Sequence, residues 1–127
     1  MANVSGSWTG TYWQLGHPTR FEATLSQGGN TLTGQTLDDA RLGEARISGQ
    51  VYGRTIHFAK QYLMGSQASI DYEGSIAEDE SYMSGQWVIP GFDSGHWEAH
   101  RREDTLLKEL KQTTTQQMSG LTSGVAS

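Results

Sequence analysis

Apolar and polar residues alternate along roughly the first hundred positions of the chain, and turn-forming residues break the alternation every eight to twelve residues or so. A period of two is what a strand shows when one face is buried and the other is solvated. Eight such runs can be marked: Ser7 to Gln14, Arg20 to Gln27, Thr31 to Leu37, Glu44 to Tyr52, Thr55 to Tyr62, Ala68 to Ala77, Tyr82 to Ile89 and His96 to Arg102. Eight strands at this spacing predict a sandwich or a barrel. Gly28-Gly29-Asn30 is the strongest turn signal, because these residues accept the positive φ of tight hairpins.

If the strands run antiparallel in sequence order, the links at Gly28 to Asn30, Tyr52 to Arg54 and Glu78 to Ser81 gather at one end, beside Trp8 and Arg101. That end is expected to be closed. The links Leu15 to Thr19, Asp38 to Gly43, Leu63 to Ser66 and Pro90 to Gly95 gather at the other end, as a candidate mouth. The alternation then points Trp8, Gly10 and Tyr12 inward on the first strand, Leu32 and Gly34 on the third, and Ile56, Phe58, Lys60 and Tyr62 on the fifth. Tyr72, Trp87 and Trp97 fall on the same inner surface, and Arg20, Glu22, His57, Asp71 and Glu73 fall outside.

Glycine is over-used, 16 of 127 residues, while proline numbers only 2. Five glycines fall on the inward face, namely Gly10, Gly34, Gly49, Gly74 and Gly85. Such a set fits strong strand curvature, with room for bulky neighbours, or a purpose-made cavity.

After residue 102 the pattern changes. Leu106, Leu107 and Leu110 form one helical stripe, with acidic residues before them and Lys108 and Lys111 towards the end, which predicts a helix over 103–112. The Thr-, Gln-, Ser- and Gly-rich stretch 113–127 is expected to be a flexible tail, so the barrel domain is 1–102.

The remaining composition narrows the function classes. There is no cysteine, hence no disulfide framework and no thiolate chemistry. Asp and Glu outnumber Lys and Arg by 14 to 9, and the net charge of −5 argues against a nucleic-acid partner. No apolar stretch nears the ~20 residues of a membrane span, and Met1 to Ser5 lacks the features of a secretory signal. A soluble cytoplasmic protein with no membrane association is the expectation.

Gly6-Ser7-Trp8 on the first strand, with Arg101 on the last, resembles the end-plug signature of the calycin superfamily of lipocalins, fatty-acid-binding proteins and avidins. That resemblance implies an eight-stranded antiparallel up-and-down β-barrel, with Trp8 across its floor and Arg101 stacked on the indole. Leu32-Thr33-Gly34, Ser84-Gly85-Gln86-Trp87 and Trp97 to Arg101 are similar to avidins in order, and imply Trp87 as a pocket wall. Gly10 departs from the avidin pattern, so biotin binding does not come with the likeness. Small uncharacterised bacterial calycin-like proteins with a similar Gly-x-Trp-x-Gly-x-Tyr run look nearer, and they imply no activity. Avidin-like barrels often pair, so the resemblance leaves a homo-oligomer open.

Lys60 is the one inward charge away from the floor, flanked by Phe58 and Tyr62 and placed towards the mouth with Tyr12 and Tyr72. It could hold an acidic ligand group, or snorkel to the rim and pair with Asp38, Asp39 or Asp93. Asp38-Asp39 reads as loop charge that keeps a turn wet. Phe92, in the glycine-flanked loop Pro90 to Gly95, is a candidate lid. His96 and His100 lie about 13 Å apart along one strand, too far to share a metal. No catalytic triad or phosphate loop is present, and no metal or cofactor is expected. The reading is a barrel that binds a small, mostly apolar or aromatic molecule, with an acidic group allowed, through Tyr12, Phe58, Lys60, Tyr62, Tyr72, Trp87 and Phe92. Two alternatives stand beside it: an isomerase or cyclase in which Lys60 or a tyrosine polarises a carbonyl, and a filled barrel that binds a protein partner through its outer wall or its helix.

Overall fold

A computed structural model describes residues 1–40, 43–64 and 69–102. The strands are β1 (Gly6–Gln14), β2 (His17–Gly28), β3 (Thr31–Asp38), β4 (Glu44–Tyr52), β5 (Thr55–Tyr62), β6 (Ser69–Ile76), β7 (Tyr82–Ile89) and β8 (Asp93–Arg101). Each is antiparallel to the next, and β8 pairs with β1 from Trp8↔Arg101 to Tyr12↔Trp97, which closes the barrel. The expected eight-stranded architecture holds. The expected helix and tail lie outside the described residues.

Three strands run further towards the mouth than the alternation suggested. β2 takes in His17, Pro18 and Thr19, because Leu15 and Gly16 both adopt positive φ (50° and 79°) and turn the chain in two residues. β8 begins at Asp93, and β3 runs through Asp38. This last residue decides the chemistry described below.

The closed end is built as expected and then reinforced. The Arg101 guanidinium lies 4.6 Å from the centre of the Trp8 ring, and Trp8 is fully buried. Arg101 also donates to the carbonyls of Glu80 (2.8 Å), Ser5 (2.6 Å) and Asn3 (2.6 Å). The N-terminal segment, which the alternation left unassigned, contributes Ala2 and Val4 to the core, and the Val4 carbonyl accepts from Trp8 Nε1 at 2.9 Å.

The inward glycines stand where neighbouring backbone closes on the strand. A Cβ at Gly10, Gly34, Gly49, Gly74 or Gly85 would strike the carbonyl oxygen of Glu98, Thr24, His57, Ser84 or Glu73 respectively, each on a neighbouring strand. Two of the five also make way for rings, Gly10 for Phe21 and Gly74 for Trp97, whose Cζ2 would lie 2.8 Å from the added Cβ; Gly95 on β8 does the same for Trp87, with Nε1 at 2.6 Å. Because backbone cannot step aside cheaply, Gly85→Val is expected to cost about 3 kcal/mol. Urea unfolding will read this as a lower midpoint at unchanged slope.

Candidate functional site

The lower half of the barrel is filled by rings. Phe58 and Tyr72 stack at 4.8 Å with an interplanar angle of 10°, and Trp97 meets both edge-on at 5.9 and 5.7 Å. Trp97 reaches across Gly85 and Gly74 and donates its indole N–H to the Glu73 carbonyl at 3.2 Å. Trp87 does the same one level higher: its indole crosses Gly95 and donates to the Trp13 carbonyl at 3.1 Å. That bond ties β1 to the β7–β8 side just beyond Tyr12↔Trp97, where the β1–β8 ladder stops.

Above this layer lies a buried polar cluster. Lys60 is only 2 % exposed, so it does not snorkel to the rim. Its Nζ donates to both carboxylate oxygens of Asp38, at 3.0 Å to Oδ1 and 2.8 Å to Oδ2. The reading of Asp38 as a wet loop charge is therefore wrong, since its side chain is 0 % exposed. The physical reason lies in β3: continuing the inward series Leu32, Gly34 brings in Thr36 and then Asp38, where Lys60 supplies the countercharge. Of the other two carboxylates considered, Asp39 is exposed and Asp93 accepts instead from Gln14 Nε2 at 2.7 Å.

Two tyrosines complete the cluster. Tyr62 donates to Asp38 Oδ2 at 2.5 Å and Tyr12 at 2.9 Å, and their hydroxyls are 3.3 Å apart. Four rings surround the ammonium, with centres at 4.7 Å (Tyr12), 4.9 Å (Tyr62), 5.6 Å (Tyr72) and 5.9 Å (Phe21). Their faces offset part of the solvation that the charge loses from water. Phe21 was outside the sequence-derived set, although its inward position on β2 was legible. Of that set, Tyr12, Phe58, Lys60, Tyr62, Tyr72 and Trp87 line the interior, whereas Phe92 is 87 % exposed and covers nothing there.

The cluster lies at the mouth end of the barrel, with Lys60 and Asp38 themselves buried. Tyr12, Ile70 and Ile89, inward residues near the upper ends of β1, β6 and β7, are only half-buried. At the same end of the β2–β3 pair lies a depression of about 400 Å³ lined by Arg20, Phe21, Glu22, Leu37, Asp38 and Asp39. Among the described residues, no group of three or more His, Cys, Asp or Glu could hold a metal ion.

Burial sets the protonation states. It pushes the phenols of Tyr12, Tyr62 and Tyr72 above their ordinary 10.0, and the negative charge of Asp38 adds to the effect. Burial also pushes the Lys60 ammonium below its ordinary 10.5, against the opposing pull of Asp38. Above about pH 10 the unfolded chain releases the phenolic protons that the barrel retains, so stability falls by up to about 4 kcal/mol per pH unit for three phenols. Lys60 works the other way, adding stability between its lowered value and 10.5 and nothing beyond. Phenolate absorbance from these three of the five tyrosines is expected to appear together with loss of the β circular dichroism. Titration of all five ahead of unfolding would contradict it.

No family model matches the chain, and no curated protein matches it either. Among solved structures it is similar to a redesigned β-barrel, mFAP1, which is bound to DFHBI. The TM-score is 0.62 at 11 % identity, over 78 % of this chain and 94 % of that one. The likeness is one of fold.

Proposed function

We propose that this is a calycin-type barrel that binds a small, uncharged aromatic molecule in the mouth half of its interior. The observation that carries the reading is the Lys60–Asp38 pair, ringed by Tyr12, Phe21, Tyr62 and Tyr72 within the barrel. A buried ion pair of this kind is weak support for a fold, since well-packed apolar residues commonly serve stability as well or better. Apolar walls with a few convergent polar groups are, by contrast, what small-molecule sites use. The superfamily assignment rests on the Trp8–Arg101 floor, and the ligand-bound barrel of similar fold supports the container reading.

The pair also refines the ligand. Lys60 already has its anion, so an acidic ligand would have to displace Asp38, and a neutral one would not. The isomerase or cyclase alternative asks Lys60 or a tyrosine to polarise a carbonyl, whereas Lys60, Tyr12 and Tyr62 all donate to Asp38. Fluorescence titration with N-phenyl-1-naphthylamine is expected to saturate, with 1-anilinonaphthalene-8-sulfonate about tenfold weaker or more because of its charge. Ile89→Trp, which narrows the mouth, is expected to weaken the neutral probe. Absence of saturable binding to the folded protein by either probe would overturn the reading.

A further inference from the structure

The polar cluster has hydrogen-bonding capacity that the protein does not use. Thr36 is 6 % exposed, and among the described residues its Oγ1 is the buried side-chain polar atom without a partner. Leaving a buried hydroxyl unpaired is costly, and native proteins commonly satisfy such groups with a ligand or an ordered water. The residues opposite Thr36, Ala23 on β2 and Ala45 on β4, have no side-chain group that could pair with it.

Two residues along the same face stands Asp38, so the two Cα atoms are about 7 Å apart. Its oxygens are unequally engaged. Oδ2 accepts from Lys60, Tyr12 and Tyr62, whereas Oδ1 accepts from Lys60 and from no other described residue. A carboxylate oxygen has room for a second donor. The inner face of β3 therefore carries, two residues apart and both buried, an acceptor with one place left at Asp38 Oδ1 and a hydroxyl with a proton to give at Thr36, with the nearby charges already paired.

We infer that Thr36 and Asp38 recognise a hydroxyl group on a neutral aromatic ligand, which donates to Asp38 Oδ1 and accepts from Thr36 Oγ1. A hydroxyl is the smallest uncharged group that does both, while the rings of Tyr12, Phe21, Tyr62 and Tyr72 select the flat body that carries it. This inference rests on the container reading above and adds the functional group.

The test compares 2-naphthol with 2-methylnaphthalene, which differ by a hydroxyl for a methyl, against the full chain by ligand-detected NMR titration. The folded protein is expected to prefer 2-naphthol by about tenfold, the scale of one buried hydrogen-bonding pair. Thr36→Val should reduce that preference to about twofold, while Thr36→Ser, which restores the hydroxyl, should retain it. Thr33→Val, on the outward face of the same strand, should also leave it intact. If neither compound binds, the container reading itself fails. If both bind equally, the container stands and the hydroxyl inference is overturned. A tenfold preference that survives Thr36→Val overturns it too, and would assign the orphan hydroxyl to a bound water alone.

Discussion

Asp38→Ala is expected to destabilise the barrel by about 3–5 kcal/mol, because it strands the Lys60 ammonium inside the protein without its anion. Against the 5–15 kcal/mol typical of whole domains, that is a large fraction of the total. The loss has a pH signature. With Asp38 gone, burial alone acts on Lys60 and pushes it down further, so the cost is full below its folded value and is relieved as pH rises towards 10.5. Lys60→Met is expected to be similarly damaging, since it leaves the Asp38 carboxylate to two tyrosines. The double variant Asp38→Leu, Lys60→Met removes both charges and is expected to regain most of the loss. Asp38→Leu, expected to lose about as much as Asp38→Ala, closes the cycle with Lys60→Met and the double variant, and urea unfolding of those three and the wild type gives the coupling directly. A single Asp38→Ala loss below about 1 kcal/mol would mean that the pair is solvated, contrary to its burial.

The second large effect is expected at the closed end. Trp8→Ala removes a fully buried indole from between Arg101 and the core, and is expected to cost about 3–5 kcal/mol. The damage spreads beyond the cavity, because the indole N–H holds the Val4 carbonyl and Val4 is itself buried in the core. Trp8→Phe keeps much of the ring and loses that bond, so about 1–2 kcal/mol is expected. Hydrogen exchange should then speed up at the amides of Ala2 and Arg102, which donate to the carbonyls of Gly53 and Ser7. Unchanged exchange there, with stability lost, would show that the N-terminal segment is not tied down through Trp8.

Most of this fold was legible because a barrel imposes one rule on every strand. Trp8, Leu25, Ile47, Ile56, Tyr72 and Trp97 all follow period-two alternation into the core, and the glycines between them mark where strands coil. Strand order also brought Trp8 and Arg101 to one end, and the resemblance carried by Gly6-Ser7-Trp8 implied the stacking that closes it. What escaped did so for physical reasons. Leu37-Asp38-Asp39 has the composition of a solvated turn, and its burial depends on Lys60, 22 residues away, which no local pattern encodes. Thr36 continues the inward series Leu32, Gly34 within the run that ends at Leu37, but a threonine near a strand end carries no signal that its hydroxyl is buried and unpaired. Ala2 and Val4 precede the first strand in a segment too short to show a period, and what buries them is the floor they help to make. Leu15 turns the chain with a positive φ that non-glycine residues seldom adopt, so the two-residue hairpin had no glycine signal at its first position. Phe92 carried the composition of a lid, yet its loop holds it clear of the interior.

The same contrast separates the site from the scaffold. Residues that pack, such as Phe58 and Trp97, were found by pattern alone, whereas those that make the chemistry, Asp38 and Thr36, were found by asking where buried polar groups place their hydrogen bonds. A buried ion pair with two tyrosines on one oxygen and an unpaired hydroxyl nearby is an expensive way to fill a barrel and a useful way to line a binding site.

The measurement that bears on this most directly is the affinity of 2-naphthol for the wild-type protein and for the Asp38→Leu, Lys60→Met double variant. The double variant is expected to be folded, at least as stable as either single variant, and weaker in binding by about tenfold or more. Equal affinity in a folded double variant would show that the polar cluster plays no part in recognition.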